Sequence, residues 1–368
     1  MSALPRPRPG ILALTPYVGG EHRPPAGARL RANRAVRLAS NENPLGAGKA
    51  AQAAYRAAAG ELHRYPDGDS RALREAIGAA EGLNPAAIVC GAGSDELIQL
   101  LVKAHAGPGD EVLHTRHGFL IYAIAARAAG ATPVAAPERN LTADVDALLD
   151  RVSDRTRLVF LANPNNPTGS LLAAAELRRL HAGLPPDVLL VIDSAYAEYV
   201  MAPDYEPGSA LVAAAGNVVM LRTFSKIHGL AALRLGWAYA APAVTDVLNR
   251  VRGPFNVTAT AQAAGVAALA DRAHLEASRR HNAKLLPWFS RELAALGFTV
   301  APSAGNFVLL RLADGATAEA ALQHLKTEGI LVRAMGGYGL PESLRITIGT
   351  QEDLQAVLDS LADWKRGR

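Results

Sequence analysis

Between about residues 45 and 250, short runs of consecutive apolar residues alternate with longer stretches whose apolar positions recur at helical spacing. Arg157 to Ala162 (RLVFLA), Asp187 to Ile192 (DVLLVI) and Asn217 to Leu221 (NVVML) are too short for helices. They lack a polar face, as strands covered on both sides do. Such strands alternating with helical patterns predict an α/β fold, a mostly parallel central sheet flanked by helices. Each of the three runs is followed at once by a polar cluster. In open parallel sheets ligands sit beyond the carboxyl ends of the strands, so the three clusters are expected to converge on one site. After Arg252 the texture changes: GPFNVTATAQ opens a long Ala-rich helical stretch, and Phe298 to Ala301, Asn306 to Leu312 and Leu344 to Ile348 read as strands of a smaller α+β unit. The expected organisation is an N-terminal arm and small-domain segment over 1–44, a large domain over 45–252 and a C-terminal small domain over 253–368. The PRPRPG start reads as a loose arm.

Composition agrees with this picture and narrows it. The 368 residues suffice for about two domains. With 49% hydrophobic and 20% charged residues, the chain is ordinary for a globular protein, which excludes disorder and collagen-like repeats. Lys and Arg exceed Asp and Glu by 38 to 34, and the resulting charge of +4 is too dilute for a nucleic-acid reader. No run of like charges marks a polyanion-binding tail. A single cysteine, Cys90, excludes an intramolecular disulfide and a cysteine-built zinc site, so a reducing cytoplasm is the expected setting. The apolar stretch Ile11 to Leu14 is far shorter than the ~7–15 residues of a signal peptide's core. The nearest approach to a membrane span, Gly229 to Val244, is broken by Arg234 and Pro242. A soluble chain is expected. The ten histidines are scattered without an HExxH pair, and His114 with His117 lacks the carboxylate or cysteine companions that a metal site needs. No metal is expected.

Four clusters carry candidate chemistry. Gly91-Ala-Gly-Ser-Asp-Glu96 follows an apolar run and precedes a helical one, so its free backbone amides could receive a phosphate. It is neither a Walker loop nor a full dinucleotide fingerprint, and Ser94 and Asp95 could equally be ordinary helix caps. LANPNNPTGS holds two prolines and a glycine and must be a rigid loop. Asp193 ends its strand, with Tyr196 following in VIDSAYAEY. A carboxylate buried there needs a partner, which a cationic heterocycle nitrogen would supply; a helix cap beside a core tyrosine is the other reading. Lys226 lies just beyond the third strand with Ser225 beside it and Arg234 further on. Desolvation there would free its amine for Schiff-base chemistry, whereas a solvated lysine at a helix start would do nothing. His228 reads as a packed core histidine or a partner of that lysine.

The conjunction of these clusters in this order resembles the fold-type I pyridoxal-phosphate aminotransferases, and among them the histidinol-phosphate aminotransferases. The resemblance runs from about Leu14 to the C-terminus through LTPYVGG, LASNENPLG, HRYPDGDS, NPNNPTG, FSKIHGLAALRLGW and LRITIGT. It implies pyridoxal 5′-phosphate in Schiff-base linkage to Lys226, which also moves the substrate proton. It matches Asp193 to the carboxylate that keeps the pyridine nitrogen protonated, and Asn166 and Tyr196 to the groups that hydrogen-bond the ring oxygen. Phe119 matches the aromatic stacked on the ring, although Arg116-His117-Gly118 stands where the family often has Pro-Ser/Thr. Gly93, Ser94, Asp95 (through its backbone amide), Ser225 and Arg234 match the phosphate site. Tyr65 matches a tyrosine that reaches the phosphate from a neighbouring subunit, which implies a homodimer.

For substrates the resemblance implies histidinol phosphate, with glutamate and 2-oxoglutarate as the exchange pair. Arg345 matches the carboxylate-binding arginine, a planar fork suited to bidentate pairing. Arg333, Tyr17 and Asn41 are expected to complete the substrate contacts; for Arg333 a solvated surface guanidinium is the other reading. An aromatic or broad-specificity aminotransferase shares the same cofactor set. So does a threonine-phosphate decarboxylase, which breaks a different bond at the same carbon. A non-catalytic regulator fused to a DNA-binding domain is disfavoured, because only about forty residues precede the Asn-Glu-Asn-Pro motif.

Overall fold

The computed structural model describes residues 7, 8, 10–30 and 34–367. Part of the PRPRPG start, at residues 5, 6 and 9, lies outside them. The large sheet has seven strands: β1 (Ile88–Gly91), β2 (Glu111–Thr115), β3 (Thr132–Ala136), β4 (Thr156–Ala162), β5 (Leu189–Asp193), β6 (Val218–Thr223) and β7 (Gly236–Ala240). Their spatial order is β1-β7-β6-β5-β4-β2-β3. Neighbours are parallel except β7, which runs antiparallel to both β1 and β6. The three apolar runs read from the sequence are β4, β5 and β6. Every residue of β5 and β6 is buried, because helices cover both faces of the sheet. Ile88, Leu113, Val159 and Leu190 face one layer of the core, and Val89, Val112, Leu158 and Val191 the other.

The smaller sheet is antiparallel: β8 (Thr299–Ala301), β9 (Phe307–Arg311), β10 (Arg333–Ala334) and β11 (Ser343–Thr347), in the spatial order β8-β9-β11-β10. It packs on the helices Arg272–Ala295, Gly315–Thr327 and Gln351–Arg366 through a core that includes Phe289, Leu325, Ile346 and Val357. An N-terminal segment joins it, with Val36 and Arg37 pairing in parallel with Ile330 and Leu331. The helix Ala259–Ala270, grouped with the C-terminal unit by sequence texture, instead buries Ala261, Ala264, Ala268 and Leu269 in the core of the large sheet. Its small side chains permit close approach to the neighbouring helices, and Gly265 faces Leu235 and Leu73. Among the described residues no helix is long and apolar enough to cross a membrane.

Candidate active site

Beyond the carboxyl ends of β4, β5 and β6 lies a cavity of about 260 Å³ that holds Asn166, Asp193, Tyr196, Ser225 and Lys226. Asp193 is the last residue of β5 and only 5% exposed. Its Oδ2 accepts the hydroxyl of Tyr122 at 2.7 Å, while Oδ1 is buried with no hydrogen-bond partner. Burial pushes the carboxyl up to about 6, against the lowering effect of the Tyr122 hydroxyl. An unpaired buried acceptor is costly, so Oδ1 marks the place of a missing donor. The alternative of a helix cap is not realised: the short helix that follows spans Ala197–Tyr199 and is capped at Tyr196.

Lys226 stands in the turn after β6. Its Nζ donates to the carbonyl of Ser40 at 3.2 Å and lies 5.7 Å from the centre of the Tyr196 ring. Burial, and then the charge of Arg345, pull the ammonium down to about 8, so a neutral amine is accessible near neutral pH. The turn depends on Gly229, whose φ is +67°; a Cβ there would lie 2.1 Å from the Gly46 carbonyl oxygen. That close approach brings the Asn-Glu-Asn-Pro segment over the lysine. His228 is a core residue, its ring 5.0 Å from that of Phe224.

Tyr196 is buried, and its hydroxyl accepts Nδ2 of Asn41 at 2.9 Å. The Asn41 Oδ1 takes the Thr347 hydroxyl at 3.3 Å, so this side chain orients Tyr196 from within the cavity wall. Asn166 lies on the rigid loop, and its Oδ1 accepts Nη1 of Arg345. This leaves the Asn166 amide N–H groups for the cavity. Phe119 lines the cavity, edge-on to Tyr17 and Tyr122 at 6.2 and 5.9 Å.

At the opposite end, Gly93 caps the helix Ser94–His105 without any side-chain cap, so Ser94 and Asp95 are its first residues. Arg234 bridges the region, donating to Ser225 Oγ at 3.3 Å and to Asp95 Oδ2 at 3.0 Å. Gly93 has φ +83°, and a Cβ there would lie 2.6 Å from Arg234 Nη2. Only glycine leaves room for an anion between the helix N-terminus and the guanidinium.

Arg345 and Arg333 are cross-strand partners on β11 and β10. Arg345 is buried; it donates Nη2 to the Ala39 carbonyl at 2.9 Å, and its Nε has no partner. Arg333 donates to the Val18 carbonyl at 2.7 Å and lies 5.2 Å from the Tyr17 ring centre. Two like charges directly opposite repel, which an anion between them would relieve. A larger cavity of about 940 Å³ shares Tyr17, Gly19, Gly20 and Arg333, but it contains none of the strand-end groups. The candidate groups at the strand ends therefore gather in the smaller one. Tyr65 lies away from this cavity, 82% exposed and stacked on Phe255 at 4.6 Å. Sequence reasoning missed Tyr122, whose only signal is its helical spacing after Phe119.

The sequence model of the family described as aminotransferase class I and II matches residues 33–361. The chain belongs to this family. Among similar proteins, the histidinol-phosphate aminotransferase of Rhodospirillum centenum is 61% identical over 364 residues, covering 99% of each chain. That of Paramagnetospirillum magneticum is 56% identical and covers 98% of each. The crystal structure of the Sinorhizobium meliloti histidinol-phosphate aminotransferase in complex with pyridoxal 5′-phosphate has a TM-score of 0.90 at 29% identity, covering 100% of this chain and 99% of that one. The fold is that of the fold-type I aminotransferases, as the resemblance implied.

Proposed function

We propose that this aminotransferase uses pyridoxal 5′-phosphate to exchange the amino group of histidinol phosphate for the oxo group of 2-oxoglutarate, forming imidazole-acetol phosphate and glutamate in histidine biosynthesis. The observation that carries the cofactor reading is the buried, unpartnered Oδ1 of Asp193 in one cavity with Lys226. The cradle at Gly93, which a Cβ would fill, agrees with it.

Pyridoxal phosphate, when bound, supplies a protonated pyridine ring that takes up the electron pair left at the substrate carbon. The chain's own groups do the rest. Asp193 Oδ1 accepts the pyridine N–H, and Tyr122 keeps the carboxylate oriented. Tyr196 and Asn166 hydrogen-bond the ring oxygen; Asn166 is turned for this because Arg345 occupies its amide oxygen. Ser225, Arg234 and the amides of Ser94 and Asp95 bind the phosphate, and Phe119 packs on the ring. Lys226 Nζ holds the cofactor and moves the proton on the amine-bearing carbon of the substrate. Arg345 and Arg333, with Tyr17 beside them, serve the carboxylates of glutamate and the phosphate of histidinol phosphate in turn.

The shared name of the close relatives supports histidinol phosphate and does not favour an aromatic or broad-specificity enzyme. A homodimer in the cytoplasm completes the proposal; the outward Tyr65, stacked away from its own cavity, supports a role in a partner's site. Steady-state turnover tests the reading. The cofactor-loaded protein should form glutamate from histidinol phosphate and 2-oxoglutarate, and Lys226→Ala should abolish this; sustained turnover by Lys226→Ala would refute the role of the lysine.

A further inference from the structure

His117 and Glu138 take no part in the roles assigned above. His117 stands in the turn between β2 and the helix Ile121–Ala129, just ahead of Phe119, and Glu138 lies just past the end of β3. The Glu138 side chain is 2% exposed, and both of its oxygens are engaged by the same residue. Oε1 accepts the His117 backbone N–H at 3.0 Å and Oε2 bonds the imidazole Nδ1 at 2.8 Å. On its other side the His117 carbonyl accepts Nδ2 of Asn165 at 3.2 Å, and Asn165 immediately precedes Asn166 in the rigid loop.

The turn itself is tight. The Gly118 N–H donates to the Thr115 carbonyl at 2.9 Å, and a Cβ on Gly118 would meet that oxygen at 3.1 Å. No proline fixes φ ahead of Phe119, so the backbone there has no covalent brace. A buried carboxylate is costly unless it is fully hydrogen-bonded, which commits Glu138 to the one geometry that satisfies both oxygens.

We propose that the Glu138–His117 clamp braces this turn: it holds Phe119 against the cofactor ring and Asn166 at the ring oxygen. His117 and Glu138 are thus positioning residues for the transamination. The proposal rests on the reading of the cavity as a pyridoxal-phosphate site, and the two can fail separately. If the wild-type protein binds no pyridoxal phosphate, that reading falls and takes the clamp's role with it; if it binds, the variants judge the clamp alone.

In His117→Ala, cofactor release should quicken and kcat should fall, each roughly ten- to hundredfold, as expected of a small misplacement at a reacting centre. The KM for histidinol phosphate should move much less, because Arg333 and Arg345 are untouched. His117→Asn, whose amide N–H can still reach Glu138 Oε2, should restore most of the loss, and Glu138→Leu should reproduce it. A merely structural clamp would lower the Tm of the cofactor-free protein while leaving release and kcat of the folded fraction unchanged. That result, or equal losses in His117→Ala and His117→Asn, would overturn the proposal.

Discussion

Asp193 shows how one side chain joins stability to function. Its position at a strand end was legible, because a strand of four apolar residues ends on an acid in the sequence itself. Its partner Tyr122 was not legible: the two are brought together only by the packing of the helix Ile121–Ala129 against the sheet. Burial raises the Asp193 carboxyl from 3.8 to about 6, so in the cofactor-free protein its penalty depends on pH. Between these values the folded state binds more protons than the unfolded one, and stability falls as pH rises. The Tm of cofactor-free Asp193→Asn should therefore gain on that of the wild type as pH increases from about 4 to about 7, and the gain should shrink once pyridoxal phosphate is added. A difference independent of pH would show that the carboxylate is not strained by burial.

At the scale of elements, the sheet explains why chemistry and sequence order coincide. Three parallel strands end at one edge, so the loops after β4, β5 and β6 meet although they are distant in the chain. That convergence follows from the apolar runs alone. What the runs conceal is the buried charge just past their ends. Arg222 on β6 is 5% exposed, pairs with Glu198 at 2.9 Å and Glu81 at 3.4 Å, and lies 5.5 Å from the Trp237 ring centre. It joins the strand before Lys226 to the turn after Tyr196, and both atoms of the contact leave water together. Nothing local in VVMLRT announces it, because the partners come from other elements. The helix Ala259–Ala270 was displaced in the sequence reading for a related reason: an Ala-rich pattern gives no preferred face, and only tertiary packing assigns it to the large sheet.

For the whole molecule, the small sheet presents Arg333 and Arg345 to a cavity built on the large one, so the groups proposed for substrate and those proposed for cofactor come from different layers. The sequence showed the arginines without showing that they oppose each other in register. Tyr65 extends the argument to a second copy of the chain. On the proposed homodimer with Tyr65 in its partner's site, co-expressed Tyr65→Ala and Lys226→Ala chains should recover activity, because a mixed dimer would rebuild one site with a native lysine and a partner's native tyrosine. Failure to recover would count against a site shared across a dimer through Tyr65. The account as a whole rests on substrate identity, which single-turnover absorbance tests most directly. Cofactor-loaded protein is mixed with histidinol phosphate or with phenylalanine, and conversion of the lysine-bound cofactor to pyridoxamine phosphate is timed. Fast conversion by histidinol phosphate and slow conversion by phenylalanine is the predicted result; the reverse order would contradict the account and leave Arg333 without its role.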